Sequence, residues 1–220
     1  MMRGRFITLE GIEGAGKSTV VAALAAAIRT RGLEVVTTRE PGGTPLAERL
    51  RETVLQRGSE HVAPETETQL MFASRAVHLD NLVRPALARG AWVVCDRFTD
   101  ATRAYQGGGR GVDRAFIESM ARVIHRDTEP DLTLLLDLPV ATGLERARRR
   151  RLAAGETVAD RFESESLEFF ARVRARYLEI AAAEPQRVRL LDATQSAAQV
   201  AAAAVAALET LTAGDGSGSK

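Results

Sequence analysis

The chain has 220 residues, 45% of them hydrophobic, and a formal net charge of +1, which is apolar material enough for a full core and a length that suits one domain. A balance so near zero excludes general electrostatic capture of nucleic acid or of an anionic membrane, so an anionic ligand must be held by a local cluster of cations. No apolar run nears the roughly 20 residues of a bilayer span, the start "MMRGRFITLEG" lacks a signal-peptide core, and the sole cysteine, Cys95, has no partner for an intrachain disulfide; a soluble, cytoplasmic protein with no membrane or nucleic-acid partner is expected.

In chain order, the first short apolar run, "RFITLEG", leads directly into "GIEGAGKST" and the helical "STVVAALAAAIRTRG". Gly11, Gly16, Lys17 and Ser18 match G-x-x-x-x-G-K-[ST] in the strand, loop and helix setting that this pattern requires. Glycines at 11, 14 and 16 let backbone N–H groups converge on a phosphate chain at a helix N-terminus. Lys17 is placed to reach the β and γ phosphates, and the Ser18 hydroxyl to ligate Mg²⁺. Among thirty basic residues only Lys17 and Lys220 are lysine, and Lys17 stands where a compact ammonium fits between phosphate oxygens and a wider guanidinium does not. The loop of Gly11, Ile12, Glu13, Gly14, Ala15, Gly16, Lys17, Ser18 and Thr19 is therefore assigned to ATP. The same scarcity of lysine rules out the N-K-x-D stretch with which a guanine-specific switch reads its base.

Further along, "LEVVTTRE" is a second strand that opens into "TREPGGT", and "TPLAERLRETVLQRG" and "ETETQLMFASRAVHLDNLVRPALARG" read as helices. The third strand, "AWVVCDR", runs into "DRFTDATRAYQGGGRG", and the helical "DRAFIESMARVIHR" precedes the fourth strand, "DLTLLLDL". An arginine-rich helix, "RARRRR" from Arg146 to Arg151, continues into the glycine-containing "LAAGETVADRFESES" with its Arg161. The helix "SESLEFFARVRARYLEIAAAE", the fifth strand "RVRLLDAT" and the helix "SAAQVAAAAVAALETL" complete the order. Strands this continuously apolar are buried on both faces, as in a parallel sheet, and their alternation with helices gives a three-layer α/β domain. The expectation is a P-loop NTPase fold with a five-stranded parallel sheet flanked by helices and a mobile lid at about 146–165. One kinase domain covers 1–212, and 213–220 form a disordered tail.

Ligands in such a sheet sit at the carboxyl ends of the strands, where this chain keeps a second set of cations: Arg39, Arg97 and the Arg146–Arg151 run. Phosphoryl transfer between two anions needs positive charge at the donor, the acceptor and the moving group. Arg146, Arg149 and Arg150 share one helix face by spacing, and Arg148 and Arg151 another. A lid that closes over donor phosphates accounts for so repulsive a run better than a bare solvated face.

Taken together, "GIEGAGKST", "TREPGGT", "MFASR", "DRF" and "AYQGGGRG" resemble, in order and spacing from Phe6 to about Leu211, the bacterial thymidylate kinases, which pass the γ-phosphate of ATP to dTMP. The resemblance implies that Arg97 holds the dTMP phosphate and that Glu13 lies near the sugar 3′-hydroxyl and acceptor phosphate. It further implies that Phe72 stacks on thymine, Arg75 donates to a base carbonyl, Thr102 reads the opposite edge, Tyr105 packs under the sugar and Gln106 adds a polar contact, with Arg39 also on the dTMP side. Asp96 is expected to orient Arg97 and a metal-bound water, sharing the Mg²⁺ site with Ser18. Relatives carry the catalytic arginine either in the P-loop or in the lid. Here Gly14 fills the loop position, so the lid type is implied, with Arg148, Arg149, Arg150 and Arg151 as candidates beside Lys17 and Arg97. A homodimer packed through the "QLMFASRAVHL" helix is implied as well. The alternatives are another nucleoside monophosphate kinase of the same fold and a non-catalytic ATP-binding regulator.

Overall fold

The computed structural model describes residues 3–56, 60–155, 161–162 and 164–212; the tail expected at 213–220 and part of the lid expected at 146–165, namely 156–160 and 163, lie outside the described residues. Five strands form one parallel sheet: β1 (Phe6–Glu10), β2 (Val35–Arg39), β3 (Trp92–Asp96), β4 (Leu132–Asp137) and β5 (Val188–Asp192), in the spatial order β2-β3-β1-β4-β5. The three inner strands are buried almost throughout, whereas the edge strands β2 and β5 keep half-exposed positions.

Alternation along a strand sends neighbouring side chains to opposite faces, and two apolar clusters record it. Ile7, Leu9, Trp92 and Val94 join the core that contains Val20, Leu24 and Ile28 of α1 (Lys17–Thr30). Phe6, Val93 and Cys95 join the opposite cluster with Leu79, Val83 and Leu87. Both faces are covered, which is why these runs are apolar without a polar period.

Helix α2 (Pro45–Leu55) starts at Thr44, whose hydroxyl accepts from the Ala47 N–H, and packs against α3 (Pro64–His78). The sequence reads one long helix from Glu65 to Gly90, but the molecule breaks it. After α3 comes a π-helical turn, Leu79–Val83, and then α4 (Arg84–Ala88) with Pro85 at its start. Proline has no N–H to continue the α ladder, and the widened turn, in which the Arg84 N–H bonds the Leu79 carbonyl, absorbs the mismatch.

A second departure follows β3. "DRFTDATRAYQGGGRG" is not among the segments that read as helix, yet Thr99–Thr102 form a short helix, α5, and Arg103–Gly109 a π-helical turn. This turn presses on α8 (Leu167–Ala183): a Cβ at Gly109 would lie 2.5 Å from the Phe169 ring, and Arg172 donates to the Gly109 carbonyl at 2.9 Å. Only residues without side chains fit between the turn and that helix. The remaining helices are α6 (Arg114–His125), α7 (Val140–Ala153), α9 (Ala197–Ala207) and α10 (Glu209–Thr212). Helix α9 opens on a capping box between Ser196 and Gln199 and packs beside α1. Among the described residues, no helix is long and apolar enough to cross a membrane.

Candidate active site

A cavity of about 300 Å³ opens at the carboxyl ends of β1, β2 and β3, and its wall includes Glu13, Gly14, Gly16, Lys17, Ser18, Arg39, Arg75, Asp96, Arg97, Thr102, Tyr105, Gln106 and Arg150. Most residues expected at the site from sequence thus converge on one space, drawn from widely separated segments of the chain.

At one end lies the loop between β1 and α1. Gly16, with φ 93°, sits in the left-handed region immediately before α1, so the first amides of the helix face the cavity without a Cβ in the way. Ile12 and Ala15 are buried and anchor the loop to the core, while Ser18 and Thr19 lie on the exposed side of the first helical turn. The Lys17 ammonium donates to the carbonyls of Gly11 and Ile12, at 3.0 and 3.1 Å. Burial, followed by the charge of Arg97, pulls its pKa down to about 8 against the opposing pull of Asp96, Glu13 and Glu10. Negative charge brought near this loop would stabilise the ammonium.

The middle of the cavity is a compact ionic cluster. Arg97, whose φ of 72° is rare for a residue with a side chain, turns its guanidinium onto Glu13 at 2.9 Å and over the Tyr105 ring at 4.8 Å. The Tyr105 hydroxyl donates to both Glu13 oxygens, at 2.7 and 2.9 Å. Below them Glu10, fully buried at the end of β1, accepts from the Phe98 N–H at 2.7 Å and from the Tyr177 hydroxyl at 2.8 Å. Burial first, and then the nearby charge of Asp100, push the Glu10 carboxyl up to about 8. Asp96 Oδ1 is buried and has no hydrogen-bond partner among the described residues.

At the far end Arg75 crosses the pocket floor. Its Nε donates to Glu40 at 2.7 Å, its Nη2 to the Phe98 carbonyl and the Thr102 hydroxyl at 3.1 Å each, and its buried Nη1 has no hydrogen-bond partner among the described residues. Glu40 also bonds His78 at 2.8 Å, and His78 in turn bonds Thr38 at 2.8 Å. Although burial raises a carboxyl's pKa, Arg75 and His78 hold Glu40 below its ordinary value, so the chain from Thr38 to Arg75 fixes a charged guanidinium with one donor left over. Gln106 lies beside it and donates to Glu67 at 2.8 Å.

Phe72 requires a correction. It has no exposed surface and packs with Val112, Ile117 and Ala121, away from the cavity. Four residues make a full helical turn and three fall short of it, so Met71, at i−4 from Arg75, faces the cavity, and Phe72, at i−3, is rotated behind it. Its ring backs the Arg75 guanidinium at 4.8 Å instead of standing ready for a base. Phe98 and Met71 supply the apolar wall. Arg39 stands at the rim, half-exposed and paired with Glu48 at 2.8 Å.

The arginine run on α7 splays. Arg146 donates to the Ala193 carbonyl at 2.8 Å and Arg149 pairs with Glu145, whereas Arg148 is exposed. Among the described residues of the run, Arg150 lines the cavity. Gly14 explains the seating of this helix: a Cβ there would meet the Gly143 carbonyl oxygen at 2.0 Å, and one on Gly143 would meet the Glu13 carbonyl at 2.6 Å. Loop and helix touch backbone to backbone, and a long side chain at position 14 has no room.

Sequence reasoning passed over Glu10, Glu40, His78, Met71, Phe98, Arg51 and Phe162, the last two being further lining residues. Glu10 and Glu40 carried a signal, each a charge ending an apolar strand; the others became visible only through packing.

Comparison with known proteins converges on one family. The family model described as "Thymidylate kinase" matches residues 9–204. The chain is 57% identical to a thymidylate kinase of Pseudomonas fluorescens over 211 residues, covering 96% of this chain and 97% of that one. It is 56% identical to a thymidylate kinase of Methylobacillus flagellatus, covering 87% and 90%. Among solved structures, thymidylate kinase from Ehrlichia chaffeensis superposes with a TM-score of 0.75 at 29% identity, covering 94% of this chain and 99% of that one.

Proposed function

Since this chain belongs to the thymidylate kinase family, we propose that it transfers the γ-phosphate of ATP to dTMP, giving dTDP and ADP, through one domain spanning 1–212. The observation that carries this reading is the continuity of the cavity: a lysine-bearing phosphate loop at one end, an arginine with a spare donor at the other, and Arg97 between them. A donor triphosphate laid on Gly11–Thr19 and a nucleotide whose base meets Arg75 and Thr102 bring both phosphates to Arg97 and Lys17. Proximity and charge balance then provide most of the catalysis. The acceptor phosphate is already an anionic nucleophile at neutral pH, so no general base is assigned.

In this reading Arg97 binds the acceptor phosphate, Glu13 and Tyr105 hold that guanidinium in place, and Tyr105 also packs against the sugar. Arg75 Nη1 donates to a base carbonyl, with Thr102 and Gln106 alongside, and Met71 and Phe98 form the apolar wall for the base. Arg150 is the arginine of α7 proposed to neutralise the transferred group, with Arg39 at the acceptor rim. Ser18 and Asp96 fit Mg²⁺: both line the cavity beside Lys17, and the unpartnered buried Oδ1 is an acceptor suited to a metal-bound water. When bound, Mg²⁺ neutralises charge on the β and γ phosphates. Among the described residues no group of three or more His, Cys, Asp or Glu side chains is arranged to hold a metal. The lone buried Cys95 fits a reducing cytoplasm. A homodimer is proposed on the family resemblance, with Gln69, Ala73, Ala76 and Val77 as the outward face of α3.

The test is an acceptor panel of dTMP, dUMP, dCMP, dGMP and AMP with coupled ADP detection. Turnover with dTMP well above the rest is expected. ATP binding without acceptor-dependent turnover would instead favour a regulator.

A further inference from the structure

Glu67 is a carboxylate with no exposed surface, and the chemistry described so far does not use it. It lies on α3 at i−4 from Met71 and i−8 from Arg75, on the helix face that turns toward the acceptor end of the cavity. Its two oxygens are divided between different parts of the molecule. Oε1 accepts from Gln106 Nε2 at 2.8 Å and lies 3.5 Å from Arg110 Nε, whereas Oε2 pairs with Arg161 Nη2 at 3.0 Å. Arg161 follows α7 in sequence and its neighbour Phe162 lines the cavity, edge-on to Tyr105 at 5.8 Å. Arg110 extends the same junction: it pairs with Glu165 at 2.7 Å and lies over the Phe162 and Phe169 rings at 5.6 and 4.9 Å.

A buried carboxylate is tolerated only with its counter-charges in place, and removal of one partner is costly because the other charge stays buried. Arg161 supplies the closer of the two cationic contacts, so the seated Arg161–Phe162 pair and the Glu67 carboxylate hold each other in place. The same carboxylate fixes the Gln106 amide and sits one turn below Met71. We infer that Glu67 is a positioning residue that couples docking of Arg161 and Phe162 to the shape of the acceptor pocket, so that the pocket is complete only while that pair is seated. This rests on the reading that the Arg75 end of the cavity takes the nucleotide acceptor.

Steady-state kinetics on the full chain test it. Glu67→Gln is expected to raise KM for dTMP about ten-fold or more while KM for ATP stays within about two-fold. Arg161→Gln, altered at a partly exposed side chain, is expected to do the same, and the double variant to be no worse than either single one. A purely structural role would lower the unfolding temperature without separating the two KM values. Unchanged KM for dTMP in a folded Glu67→Gln, or additive effects in the double variant, would overturn the coupling. If Glu67→Gln does not fold, Arg161→Gln decides alone by the same split. Arg75→Ala separates the two levels: if it raises KM for dTMP and the other variants do not, the coupling alone fails, and if it too leaves KM unchanged, the acceptor-pocket reading falls and the coupling with it.

Discussion

At the end of the cavity proposed for the phosphate donor one consecutive run, residues 11–19, supplies the loop, whereas at the end proposed for the acceptor Arg75, Arg97, Thr102 and Tyr105 arrive from α3, the end of β3, α5 and the π-helical turn after it. The donor end relies on backbone: amides and carbonyls of a glycine-rich loop, with one ammonium tied back to Gly11 and Ile12. The acceptor end relies on side chains held by other side chains, as Glu40 and His78 hold Arg75. A backbone site tolerates change around it but not within it. A site of side chains is sensitive to substitutions one layer away.

The largest effect that separates the two ends is expected from Lys17→Met, which removes the one cation of the donor loop; kcat should fall about a thousand-fold, with dTMP binding by calorimetry little altered. Arg97→Ala strikes the other side. It also leaves Glu13 without its cation, and kcat/KM for dTMP should drop about a hundred-fold, while binding of a non-hydrolysable ATP analogue persists. The lid can be resolved within α7. Arg150→Ala should lower kcat about ten- to a hundred-fold, and Arg148→Ala, at an exposed position on the same helix, less than about two-fold; equal losses would return the role to the run as a whole.

A smaller effect concerns pH. Lys17 in the free enzyme has its pKa pulled down to about 8 by burial and Arg97, so the ammonium form proposed to bind phosphate is nearly full only well below pH 8 and is lost as pH rises through it. KM for ATP should therefore climb above pH 8, approaching about ten-fold per unit, whereas KM for dTMP, which depends on arginines, stays flat. A parallel rise in both would remove the distinction between the ends.

The donor site was legible because its chemistry is contiguous. Glycines at fixed offsets, a lysine kept in an arginine-rich chain and flanking strand and helix patterns all sit in one short window, and the five strands were equally plain because both faces of each inner strand are apolar. The acceptor site was legible in composition but not in geometry. "MFASR" placed an aromatic and a polar base-reader on one helix, yet the rotation between i−3 and i−4 decides which side chain meets the cavity. Met71 has that place and Phe72 is in the core. Nothing in "AYQGGGRG" marked a helical turn, because glycine is a poor helix former, and contact with α8 overrode propensity.

What the sequence by itself determined is therefore the sheet, the strand-to-loop positions of the charges and the phosphate loop, since these follow from apolar runs and local backbone freedom. Tertiary structure alone decided that Arg150 of the splayed run reaches the cavity, that Gly14 must lack a side chain because α7 rests on it, and that Glu67 joins α3 to Arg161. Each of these depends on where one helix sits against another, and that distance is set by side-chain volumes contributed from distant parts of the chain.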